Sequence, residues 1–283
     1  MATCKEEYER IKELQGTTPT FISKEHLLND ILPLTALATG VAAVTFFALS
    51  YLVRRLAPKS SSYFVHTSAR LITMTLFNAT KGIMGIHYCY TIVEENPSID
   101  TMVMGYRNAY PLACVLLGKY LFAITAELII DPNASEMIVH HLASLLVACM
   151  SIFPVLGFNY YNPFMFGVFE ITSVPLAGMD FFKHHPEYMK THPLTYTVCR
   201  MIFCFSFLYI RWYLFFPRLL NFLRLYAFKV VTCESRLIQL LSFLAWLGSF
   251  FLLVLQIYWG VLIVKGLCKF FSTRLVTKQK KAA

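Results

Sequence analysis

The stretch with the clearest chemical potential is Glu136–Phe153, EMIVHHLASLLVACMSIF, in which two adjacent histidines interrupt an otherwise apolar run. A neutral imidazole offers one donor and one acceptor, and its ordinary pKa is about 6.5. It is therefore the side chain best suited to move a proton or carry an acyl group at neutral pH. On a helix His140 and His141 point about 100° apart, so one can face a cavity while the other packs on a neighbouring helix. Ser144 lies one turn beyond His140 and can orient its ring. The competing role is structural, a hydrogen bond between two packed spans.

Other ionisable groups also sit in apolar surroundings: Arg70, Lys81, Lys119, Glu127, Glu170, Arg200 and Arg211. Such groups are expensive at membrane depth and face a protein interior or a water-filled cavity. Their number points to a shared polar interior to which Glu170 and Arg211 contribute beside the histidine pair. A second pair, His184-His185, occurs in the polar stretch FFKHHPEYMKTHP, where no acidic or cysteine partner stands at a ligand spacing, and is expected to be a solvated loop. The eight cysteines are scattered, with neither a C-x-x-C nor a zinc-finger spacing, so no metal site and no disulfide framework is expected.

The elements that must position these groups are long apolar helices. The chain has 283 residues, of which 57% are hydrophobic and only 14% charged, against about 25% charged in soluble domains. The apolar residues come in blocks rather than alternating with polar ones. Ile31–Val53 and Leu240–Val264 are free of charge and long enough, at about 1.5 Å per residue, to cross about 30 Å of hydrocarbon. Phe64–Tyr90, Tyr110–Ile130, Ile138–Leu156, Pro163–Phe181 and Leu194–Phe216 carry the ionisable residues, and Pro175 interrupts the fourth of these. The fold class is thus all-α, a multi-pass membrane protein with about seven transmembrane helices. The polar opening, residues 1–30, reads as a short surface helix rather than a signal peptide.

The formal charge of +9 does not indicate nucleic acid, because the basic residues sit in short loops and in the tail, as in membrane proteins with a cytosolic Lys/Arg excess. The final KKAA (Lys280, Lys281, Ala282, Ala283) resembles the dilysine signal that returns membrane proteins from the Golgi to the endoplasmic reticulum. It implies a cytosolic C-terminus and coat machinery as a partner. Asn133-Ala-Ser135 then falls on the cytosolic side and Asn78-Ala-Thr80 within a span, so neither is expected to be glycosylated.

Six closely spaced spans, a His-His pair opening the middle one, and NPFMFGVFEITSVPL about 20 residues later together resemble the TLC domain of ceramide synthases, translocation-associated membrane proteins and smaller TLC-domain proteins. FLYIRWYLFFP (Phe207–Pro217) is similar to the family's penultimate span. The resemblance implies a TLC-like domain over 64–271, six helices around a lipid-accessible cavity, preceded by a leading helix and loop (31–63) and followed by a basic tail (272–283). In ceramide synthases the histidines are followed by two aspartates three residues apart, needed for N-acylation of a sphingoid base by acyl-CoA. Laid on this chain, the histidines match at His140 and His141, Glu170 falls at the first aspartate and Ser173 at the second. The carboxylate lost at Ser173 and the EITSVPL motif favour the smaller TLC-domain proteins, which are linked to membrane lipid composition.

Three functions are then compatible with the chain. The first is lipid homeostasis in the endoplasmic reticulum through a lipid bound or sensed in the membrane. The second is an acyltransferase using His140, His141 and Glu170, with Ser144, Ser173 and Arg211 in the cavity and acyl-CoA as co-substrate. The third is a transporter, weakened by the lack of matching broken helices. No resident cofactor is expected in any case. Membrane lipids are the expected partners, and homo-oligomerisation stays open.

Overall fold

The computed structural model describes residues 24–91, 110–131, 133, 135–152, 160–232 and 236–282, together with 6, 9–11, 13 and 101. The side chains of 24, 229, 238, 271 and 273–282 are not described. Among the described residues the chain is 95% helical, with no strand. A first helical stretch, Lys24–His26 and the wider turns of Leu27–Ile31, runs directly into α1 (Leu32–Leu56). There follow α2 (Ser62–Thr91), α3 (Tyr110–Ile130) and α4 (Ser135–Ser151). A segment of irregular turns, Pro163–Gly167 and Val168–Thr172, leads into α5 (Ser173–His184). The short α6 (Pro186–Thr191) connects to α7 (Pro193–Ser206), which continues through wide turns at Phe207–Phe215 into α8 (Phe216–Thr232). The last helix, α9, runs from Arg236 to Ala282.

Each of the seven expected spans is helical, with shifted bounds. Five stretches are long and apolar enough to cross a membrane: Leu27–Leu56, Tyr110–Ile130, Pro163–His184, Pro193–Thr232 and Gln239–Phe270. The protein is therefore an all-α, multi-pass membrane protein. The other two expected spans depart for physical reasons. α2 is long enough but carries a polar face, and α4 begins at Ser135 and ends at Ser151 instead of covering Ile138–Leu156, which leaves it 17 residues long. Residues 153–156 of that expected span lie outside the described residues. Pro175 does not break its span where expected. It sits in the first turn of α5, where its missing N–H has no intrahelical partner to lose. The irregularity falls just before it, at 163–172.

α3 is the central helix, with 61% of its most apolar window buried against 17% for Leu27–Leu56. It packs on α1, α2 and α4, and α9 lies against α4 and α8. One apolar core, including Leu112, Leu116, Val147, Tyr161, Phe222 and Ala245, gathers the first half of α3, the end of α4 and parts of α8 and α9. Two glycine contacts let backbones approach closely. Gly118 of α3 meets α1, where an added Cβ would come within 2.6 Å of the Ala38 Cβ and 2.8 Å of the Thr35 oxygen. Gly85 of α2 faces Gly167, and a Cβ on either would overlap the other's backbone. This second contact seats the irregular segment 163–172 against α2, and that segment carries Glu170. Small residues at such crossings are how membrane helices gain packing without a hydrophobic driving force.

Gly85→Ala is expected to destabilise the bundle by about 1–3 kcal/mol through overpacking and to lower the melting temperature in detergent. Gly40, where an added Cβ meets nothing within 4 Å, is the control, and Gly40→Ala is expected to leave the melting temperature unchanged or raise it. Equal melting of the two variants would remove the close approach as a structural determinant.

Candidate functional site

α3 and α4 follow one another closely in sequence and pack together. Their contact sets Glu127 against His141, with Oε2 of Glu127 2.8 Å from Nδ1 of His141. The other oxygen accepts from Arg70 Nη1 of α2 at 2.8 Å. His141 is 6% exposed. A carboxylate already held by a guanidinium acts as an acceptor, so Nδ1 of His141 is the donor in this contact, and in the neutral form of the ring the lone pair is on Nε2. That is the orientation a general base needs.

Glu170 has a different environment. Its carboxylate, 5% exposed, lies 2.9 Å from Nζ of Lys81, which is wholly buried. It also accepts from Lys119 Nζ at 3.1 and 3.2 Å. Glu170 is thus shared between two ammonium groups, and the carboxylate that orients a histidine is Glu127. Tyr120 joins the two arrangements. Its ring lies 5.2 Å from that of His141 and 4.7 Å from Lys119 Nζ, and Ser144 reaches its hydroxyl.

Arg211 sits in the wide turns at Phe207–Phe215, and its guanidinium is spent in three directions. It donates to Thr172 Oγ1 at 2.6 Å, to Gln256 Oε1 at 3.2 Å and to Ser173 Oγ at 3.3 Å. It also stacks over Phe169, 3.8 Å from the ring centroid. Wide turns of this type recur at functional positions because they re-aim a side chain out of the regular helical register. His140 points elsewhere. Its ring meets the edge of Trp259 on α9 at 5.2 Å and lies 5.5 Å from the His141 ring, while its buried Nδ1 has no hydrogen-bond partner.

The six expected site residues therefore divide. Ser173 and Arg211 are in contact, Ser144 and His141 both reach Tyr120, Glu170 is bound to lysines, and His140 faces α9. The sequence assigned no role to Glu127, Lys81, Lys119 or Arg70 beyond membrane depth, and it passed over Tyr120, Thr172 and Gln256. Gln256 is polar within an uncharged span, a signal that could have found it. Of the remaining expectations, the α9 backbone passes through Lys280 and Lys281, whose side chains lie outside the described residues. The His184-His185 loop is not solvated as expected. His185 is 4% exposed, packed against Phe64 and Phe181 with ring centroids 4.6 and 4.9 Å away. Among the described residues no cluster of three or more His, Cys, Asp or Glu is arranged to hold a metal ion.

A groove of about 320 Å³ runs between α4 and α9, lined by Ser135, Glu136, Val139, Phe251, Leu255, Tyr258 and Trp259. Its wall is apolar apart from the Ser135–Glu136 end. Trp259 lines this groove and is also in ring contact with His140.

A bundle of membrane helices with paired charges inside is the class of protein that this fold and interior define. Residues 59–265 match the TLC domain; the chain belongs to the TLC-domain family, and its function is membrane-lipid related. Comparison with curated proteins and with solved structures finds no match.

Removing Glu170 strands two buried ammonium groups. Glu170→Gln is expected to cost roughly 3–5 kcal/mol in a detergent unfolding experiment, the range for breaking a buried ion pair from one side. Adding Lys81→Met should recover part of that loss. A double variant no more stable than Glu170→Gln would show that Lys81 is not held by the carboxylate.

Proposed function

We propose that the protein serves membrane lipid homeostasis in the endoplasmic reticulum by binding a lipid chain within its membrane domain. The carrying observation is the groove between α4 and α9, whose walls are Val139, Phe251, Leu255, Tyr258 and Trp259. Its volume falls at the lower end of the range for small-molecule sites. Its apolar length suits an acyl chain, and the Ser135–Glu136 end suits a polar headgroup. His140, in ring contact with Trp259 and with a buried Nδ1 that has no hydrogen-bond partner, gives the charged interior a route by which an occupant is sensed.

A second function, acyl transfer from acyl-CoA to an amine, is favoured by one observation, the Glu127–His141 contact backed by Arg70. In that reaction His141 Nε2 takes the proton of the attacking amine, the amine nitrogen bonds to the thioester carbonyl carbon, the carbon–sulfur bond breaks, and His141 returns the proton to the departing thiolate. Glu127, in the place first assigned to Glu170, positions the base.

Mass spectrometry of lipids extracted from purified protein tests the binding function. Val139→Trp fills the groove from an exposed position, and co-purified lipid is expected to fall by more than half; an unchanged lipid content would reject the groove. Incubation with acyl-CoA and a panel of sphingoid bases and other amines tests the second function. Product that depends on His141 and Glu127 supports it, and no product above His141→Ala removes it. Retrieval through Lys280 and Lys281 predicts that replacing both with serine moves a tagged protein out of the endoplasmic reticulum, and an unmoved protein would discard the signal.

A further inference from the structure

The groove between α4 and α9 has a direction. An added Cβ at Gly248 of α9 would lie 3.3 Å from Val147 of α4, whereas further along α9 the Trp259 ring meets His140. Later residues of α9 thus meet earlier residues of α4, and the two helices run in opposite directions. The groove accordingly extends from Phe251 and Leu255, well inside the charge-free block Leu240–Val264, to Tyr258, Trp259 and the first turn of α4 at Ser135 and Glu136. Phe251 to Trp259 covers about 12 Å of helix axis. Val139 and Tyr258 on its walls are about half exposed, so the groove opens on the outer surface of the bundle.

The groove becomes charged where the apolar block ends. Glu136 is the one charged residue among those lining it. It is exposed, and its carboxylate has no ion pair or hydrogen bond among the described residues. Tyr258 and Trp259 line the same end, and aromatic faces attract an ammonium group. Lys265 is the first charge past the apolar block. It stands seven residues after Tyr258, two turns of helix, which puts it within about 20° of the same direction and about 10 Å further along. It too is exposed and has no side-chain partner among the described residues. An unpaired acid and an unpaired base therefore flank the end of the groove, at the depth where Tyr, Trp and lipid headgroups meet.

We infer that this groove selects a zwitterionic phospholipid, with an acyl chain along Val139, Phe251 and Leu255, the ammonium at Glu136 and the phosphate toward Lys265. The inference rests on lipid binding in the groove and adds the headgroup that the groove takes. An anionic phospholipid supplies the phosphate but brings no positive group to Glu136. Diacylglycerol supplies neither charge, and a simple amine lipid leaves Lys265 without a counter-charge.

Full-length protein in neutral detergent is incubated with equal amounts of dioctanoyl phosphatidylcholine, phosphatidylglycerol and diacylglycerol, and the bound lipid is extracted and quantified by mass spectrometry. Phosphatidylcholine is expected to exceed phosphatidylglycerol about threefold, the scale of one exposed ion pair. Glu136→Gln should bring that ratio to about one, and Glu136→Lys should reverse it. Lys265→Gln should lower both phospholipids relative to diacylglycerol and keep their ratio. Glu187→Gln removes an exposed carboxylate outside the groove and should change nothing. A first-turn acid also complements the dipole of α4, and the melting temperature of Glu136→Gln reports that contribution separately from the lipid ratio. Lipid that Val139→Trp displaces, but whose headgroup ratio is the same in wild type, Glu136→Gln and Glu136→Lys, overturns the headgroup assignment alone. Binding untouched by Val139→Trp overturns the groove itself and this inference with it.

Discussion

Glu170 is only 5% exposed inside a membrane bundle, so its charge must be matched by other side chains. Moving a lone carboxylate into such surroundings is prohibitive, and even a paired one is held only where geometry and further hydrogen bonds are good. Here the match comes from Lys81 on α2 and Lys119 on α3, both within about 3 Å. Three elements far apart in sequence are thus fixed relative to one another by one carboxylate. The packing around it follows: Gly85 and Gly167 let the 163–172 segment approach α2 closely enough for Glu170 to reach Lys81, and Tyr120 lays its ring under the Lys119 ammonium.

The backbone irregularities belong to the same constraint. Regular α-helix through 163–172 and 207–215 would turn Glu170 and Arg211 to different faces. The tight turns at Val168–Thr172 and the wide ones at Phe207–Phe215 instead bring Thr172 and Ser173 under the Arg211 guanidinium, with Gln256 of α9 closing the third side. A guanidinium is suited to this because its donors are fixed in a planar fork and its charge is weakly hydrated. Ser173, where the resemblance to ceramide synthases led one to look for an acid, is therefore better described as an acceptor for Arg211. A second carboxylate there would meet the same guanidinium and compete for it with Glu170 nearby.

Much of this was legible in the sequence and some was not, for identifiable reasons. The charge-free blocks Ile31–Val53 and Leu240–Val264 lie within helices because twenty or more apolar residues have few other fates. Intramembrane Lys, Arg and Glu residues could be named as inward-facing from cost alone. Which of them pair could not, since pairing depends on helix rotation and on the irregular turns, neither of which leaves a periodic signal. Glu127 was named only as an intramembrane acid, and its contact with His141 emerged from the packing of α3 on α4. α4 ends at Ser151 rather than reaching Leu156, and α9 runs on past the apolar block Leu240–Val264 to Ala282, because hydropathy marks the apolar part of a helix, not its last hydrogen bond.

The two histidine pairs show how little a dipeptide decides by itself. In each, adjacent positions on a helix or at its end send the rings in different directions. In the first, a carboxylate on the facing helix takes one ring and an indole edge takes the other. In the second, a tyrosine hydroxyl takes one ring, and Phe64 and Phe181 enclose the other. Composition alone ranked the first pair as buried and the second as wet, yet His185 is the less exposed of the two inner rings. What separates them chemically is the partner: His141 is tied to a carboxylate and can hold a defined tautomer, while His185 Nε2 has no protein partner. The same two letters thus give an ion-paired ring in one setting and an aromatic-packed ring in the other, and the facing side chains decide which.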